Sequence, residues 1–112
     1  MRYLLLIGGD GSAEATSEEI CGADETQAWL ADLERRGMLR GGDLLRPPGE
    51  ASTVRVRDGE VLIVDGPYAE TKEQIGGFNL IDCANHAEAV EIASRHPAAR
   101  FGMIEVRPVW EP

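Results

Sequence analysis

Asp58-Gly59 stands between two runs rich in β-branched residues, Ser52–Arg57 and Val61–Val64. A two-residue Asp-Gly loop joining such runs signals a type I′ hairpin, because that turn needs positive φ at both central positions. The hairpin divides the chain. Before it come an apolar run, an amphipathic stretch and a second extended run, and the same order follows it.

Tyr3 to Ile7 is continuously apolar and is closed by Gly8-Gly9. Its length suits a strand buried on both faces and falls short of a signal-peptide core or a membrane span. Residues 8–23 are polar, acidic and rich in small residues, which predicts a loop. Asp24-x-x-Gln27 has the form of a capping box at the start of a helix. Thr26, Trp29, Leu30 and Leu33 form its apolar face and Gly37 its stop. Met38 to Leu45 reads as a strand entered through Gly41-Gly42, and Arg46-Pro47-Pro48-Gly49 ends it. After the hairpin, Gly76-Gly77 introduces a strand over Phe78–Cys83. Asn85-x-x-Glu88 starts a helix over 86–95 with Ala89, Val90 and Ala93 inward, and Pro97 ends it. Met103 to Val109 is the last strand, with Trp110 at an edge or interface.

The order β-α-β, inserted hairpin, β-α-β predicts one α+β domain over residues 1–112, a ferredoxin-like sandwich. Helices in such a sandwich cover one face of the sheet. Strands this apolar would leave the other face as a large exposed patch, so the expected assembly is a homodimer packed sheet to sheet.

The formal net charge is −9. Residues 10–34 hold eight acids and no base, while residues 35–57 hold six arginines against Asp43 and Glu50. Most of the acidity is therefore a solvated segment rather than a binding surface. The balance argues against nucleic acid and against an anionic membrane as partners. Cys21 and Cys83 are the two cysteines, and no CxxC or Cys/His cluster has zinc spacing, so the expectation is free thiols, no metal or cofactor, and a cytoplasmic protein.

The stretch from Asp65 through Gly66, Pro67, Tyr68, Ala69, Glu70, Thr71, Lys72, Glu73, Gln74, Ile75, Gly76 and Gly77 to Phe78 resembles the signature of the DGPF-domain family. That family belongs to the YCII-related group of the dimeric α/β-barrel superfamily. Its pattern has Phe where this chain has Tyr68. Further matches are Gly42-Asp43-Leu44-Leu45, Thr53-Val54-Arg55, Glu88-Ala89 and the closing Ile104 to Val109. The resemblance implies a ferredoxin-like fold and a dimer. It also implies an association with extracytoplasmic-function sigma factors, which some members accompany. More distant YCII-like proteins carry a proposed His–Asp acid/base pair, with the His on the first helix and the Asp in an Asp-Pro step. Here the first helix offers no histidine and the Asp-Pro step stands as His96-Pro97, so the pair does not carry over.

The residues of the signature make the densest candidate site. Asp65, if shielded, could act as a base, and His96 is the other candidate for that role. Lys72, the chain's single lysine, could hold an anionic substrate or a developing enolate among Tyr68, Glu70 and Glu73. Gly76 and Gly77 would let backbone approach a ligand closely. Arg107 could pair with Asp65 or Glu70. The simpler reading makes Asp65-Gly66-Pro67 a turn, the charged residues solvated ion pairs, and His96 a helix cap. Three functions follow: a ligand-binding dimeric module for a small anionic or aromatic molecule, an isomerase- or lyase-like proton-transfer enzyme, or a regulatory partner of a sigma factor.

Overall fold

The apolar run near the start of the chain becomes a central strand. A computed structural model describes residues 1–12, 15–68 and 73–111. Its elements in chain order are β1 (Arg2–Gly9), α1 (Ser17–Gly22), α2 (Asp24–Arg35), β2 (Leu39–Leu44), a 3₁₀ turn (Pro48–Glu50), β3 (Ser52–Arg57), β4 (Glu60–Asp65), β5 (Gln74–Asp82), α3 (His86–Ser94), α4 (Ala98–Phe101) and β6 (Met103–Pro108). Four strands form one antiparallel sheet in the order β2-β5-β1-β6, and β3 and β4 pair separately. This α+β arrangement is compatible with a ferredoxin-like fold.

Register decides which side chains meet the helices. Tyr3 pairs with Ile81, Leu5 with Asn79 and Ile7 with Gly77 on one side of β1. Leu5 pairs with Val106 and Ile7 with Ile104 on the other. Because side chains alternate along a strand, these residues share one face. That face packs on Trp29 and Leu33 of α2 and on Ala89, Ile92 and Ala93 of α3, forming the core. The Trp29 indole donates to the Ile92 carbonyl at 2.8 Å, tying α2 to α3. The opposite face carries Leu4, Leu6, Phe78 and Leu80, half-buried and outside the core.

The hairpin forms as its turn dictates, with φ of 52° at Asp58 and 78° at Gly59. Val54 faces Ile63 and Val56 faces Val61, which gathers four apolar side chains on one side of the ribbon. They are 56–66% exposed.

Several sequence expectations change. Residues 8–23 are not simply a loop. β1 continues through Gly9, and Ser17–Gly22 is helical because Thr16 and Glu19 form a reciprocal capping box. The box expected at Asp24 and Gln27 does not form: Asp24 is already the first helical residue, and the Gln27 carboxamide donates to the Cys21 carbonyl at 2.8 Å. Asn85 does cap α3, accepting from the Glu88 amide at 2.9 Å. Within α3, Ile92 is buried and Val90 exposed, so the inward stripe is Ala89, Ile92 and Ala93. Gly76 and Gly77 lie inside β5 rather than before it, because that strand starts at Gln74. Trp110 is exposed.

Candidate functional site

At the Gly8 end of the sheet a cavity of about 450 Å³ opens on the helix side. Its floor is backbone: Gly8 and Gly9 of β1, Gly76 and Gly77 of β5, and Gly102 ahead of β6. Its walls are Ser17 and Ile20 of α1 and Phe101 of α4. The glycines are there because the chains approach closely. A Cβ on Gly8 would stand 2.3 Å from the Gln74 carbonyl oxygen and one on Gly102 2.1 Å from the Gly8 carbonyl oxygen, so these two positions need bare backbone, whereas one on Gly76 would face the Ser17 hydroxyl at 3.3 Å.

A second cavity of about 410 Å³ adjoins the first, sharing Ile7, Cys21, Leu44 and Gly77. It lies between α2 and the β2–β5 edge of the sheet, with Asn79 and His96 on its wall.

His96 is the largest departure from expectation. It does not sit at an exposed helix end. The four-residue helix α4 folds directly after it and buries the ring to 1% exposure. Its Nδ1 accepts from the Ala98 amide at 2.9 Å, and the ring meets Trp29 edge to face with 4.7 Å between centroids. An Nδ1 that accepts places the ring's proton on Nε2. Burial pushes the His96 pKa below the usual histidine value, only partly offset by the Glu25 carboxylate. The ring therefore caps α4 as a neutral acceptor, not α3 as a cation.

The other candidates are scattered. Asp65 ends β4 and is exposed, so the shielding that a general base would need is missing. Gly66 is held at the hairpin base, where its amide donates to the Ala51 carbonyl at 2.7 Å and its carbonyl accepts from the Thr53 hydroxyl at 2.9 Å. The 3₁₀ turn just before Ala51 contributes Pro48 to the first cavity, while residues 65–68 are not part of its lining. Tyr68 is exposed, with the Arg55 guanidinium 5.1 Å from its ring centroid. Glu70 and Lys72 lie outside the described residues. Glu73 is exposed just before β5. Among the described residues, Gly76 and Gly77 are thus the two members of the expected set that line this cavity. Arg107 ion-pairs with Glu105 on its own strand rather than with Asp65. That pairing follows from alternation, which puts residues two apart on the same face.

Sequence reasoning missed Gly8, Gly9, Gly102, Ser17 and Asn79. The usable signals were the Thr16-x-x-Glu19 capping box and the clustering of glycines at the ends of three strands.

The thiol of Cys21 borders both cavities, and burial raises its pKa, so it stays protonated and a poor nucleophile. Among the described residues no group of three or more His, Cys, Asp or Glu side chains could hold a metal ion. Among the described residues no helix is long and apolar enough to cross a membrane.

A family model described as the YCII-related domain matches residues 1–112. The chain is similar to the uncharacterized protein R00369 of Rhizobium meliloti (strain 1021), at 38% identity over 120 residues, covering 97% of this chain and 92% of the relative.

Proposed function

This chain belongs to the YCII-related domain family, and from that premise we propose that it is a homodimeric protein that binds a small molecule in the glycine-floored cavity beside the Asp65-Gly66-Pro67-Tyr68 turn. The cavity carries the reading. A volume of about 450 Å³ lies in the range of small-ligand sites, and its wall is mostly apolar, with Asp10, Thr16, Ser17 and Gln74 as its polar residues beside the glycine backbone. The family signature runs directly into it through Gly76 and Gly77.

Dimerisation is supported by two apolar surfaces. One is the half-buried sheet face of Leu4, Leu6, Phe78 and Leu80. The other is the hairpin face of Val54, Val56, Val61 and Ile63. A two-stranded ribbon alone is marginal in water and needs something to pack on. A second copy supplies it.

A cofactor-independent proton-transfer enzyme lacks a placed base among the described candidates: the His96 Nδ1 is held by the Ala98 amide and its Nε2 carries the proton, and Asp65 is exposed on β4.

The test is a thermal-shift screen of small acids, phenols and lactones on the native chain and on Gly76→Val. The isopropyl group would enter the cavity floor facing Ser17. Ligands that raise the melting temperature of the native protein should lose that effect in the variant. A hit that stabilises both equally would place binding elsewhere.

A further inference from the structure

The second cavity has a polar lining that the protein itself leaves unsatisfied. Asn79 is 8% exposed and His96 1%. Asn79 points from β5 over Gly42, where a Cβ would stand 2.3 Å from the carboxamide nitrogen. Gly42 has φ of 150°, a region that L side chains rarely adopt. The edge strand has thus given up a side chain at the place where the carboxamide is seated. His96 has one nitrogen engaged with the Ala98 amide, which leaves Nε2–H as its other polar group.

Neither the Asn79 carboxamide nor the His96 Nε2–H has a hydrogen-bond partner among the described residues. Both groups are instead open to the cavity, where water meets them and where an acceptor atom of a ligand can take the water's place. Two donors on one cavity wall, each on a residue more than nine-tenths buried, point to a ligand that accepts their hydrogen bonds. The rest of the wall limits what that is. Leu30, Leu39 and Leu44 call for an apolar body. Glu34 and Asp43 on the same wall disfavour an anion, and a neutral imidazole gives no charge to attract one.

We propose that this second cavity recognises a small neutral molecule with a carbonyl group, using the His96 Nε2–H and the Asn79 carboxamide as hydrogen-bond donors. The inference rests on the adjoining cavity being a ligand site and names the chemistry of its ligand.

Acetophenone, ethylbenzene and benzoate test it, being close in size and differing in a neutral acceptor, no acceptor and an anion. Each is titrated into the full chain labelled with nitrogen-15, following the His96 imidazole nitrogens and the Asn79 side-chain amide. Acetophenone should move both signals and bind about tenfold more tightly than either of the others, the ratio expected for one hydrogen bond to a buried donor. In Asn79→Ala its advantage over ethylbenzene should shrink severalfold. Should that variant not fold, the ranking on the native chain decides alone. Equal binding of ethylbenzene, or tighter binding of benzoate, overturns the carbonyl assignment while leaving a ligand cavity in place. No movement at His96 or Asn79 with any probe overturns it too, whatever the Gly76→Val comparison gives for the neighbouring cavity.

Discussion

Replacing Ile63 with lysine tests whether the hairpin face is a contact between copies. In the single chain Ile63 is 66% exposed. The substitution should therefore change monomer stability by no more than about 0.5 kcal/mol. In a dimer that covers this face the result is different. Fully burying a Val or Ile side chain is worth about 1.5–3 kcal/mol. Covering the part of Ile63 still open to water accordingly contributes roughly 1–2 kcal/mol. A twofold axis presents each position twice, so Ile63→Lys should cost about 2–4 kcal/mol of association, or roughly 30- to 1,000-fold in Kd. Sedimentation equilibrium over a range of concentrations measures it. Leu62 points to the other side of the ribbon, opposite Arg55, so Leu62→Lys is the control and should have a much smaller effect. Unchanged association in Ile63→Lys would refute the hairpin as part of the interface.

Three further outcomes follow. Trp29→Phe removes the buried donor to the Ile92 carbonyl and leaves space between α2 and α3; urea unfolding should show a loss of about 1–3 kcal/mol with an unchanged m value. Because burial lowers the folded pKa of His96, the unfolded chain binds its proton more readily. Stability should thus be full above the unfolded value of 6.5 and fall as the pH drops below it, a trend that His96→Asn flattens in melts between about pH 7 and 5. Thr16→Ala removes the cap of α1, where the hydroxyl accepts from the Glu19 amide at 3.1 Å. It should cost about 1 kcal/mol and increase hydrogen exchange in α1, which walls the first cavity.

The scaffold was legible because its signals are local and strong. Asp58-Gly59 called for a hairpin and formed one, and the run from Tyr3 to Ile7 became a central strand. The site was much less legible, for physical reasons that differ by residue. Ser17 to Gly22 is too short and too acidic to show helical periodicity, and its identity rests on the Thr16–Glu19 box alone. Gly76 and Gly77 read as punctuation, yet they sit inside β5, where a Cβ would face the Ser17 hydroxyl at 3.3 Å and the Asp43 carbonyl oxygen at 3.2 Å. A histidine before proline at a helix end reads as a solvated cap. Only the four residues that fold after His96 make it a buried neutral group, and four residues carry no periodic signal. The cavity itself joins residues far apart in sequence, from Gly8 to Gly102, so no local pattern could disclose it.

The central claim is that a small molecule occupies the cavity between the glycine ends of the sheet and α1. Chemical-shift mapping of backbone amides with the best hit of the thermal screen tests it most directly. The account predicts shifts concentrated at Gly8, Gly9, Ser17, Gly76, Gly77 and Gly102, with the hairpin tip at Asp58 and Gly59 unmoved. Shifts confined to the hairpin or to the outer face of the sheet, with those six amides silent, would contradict it.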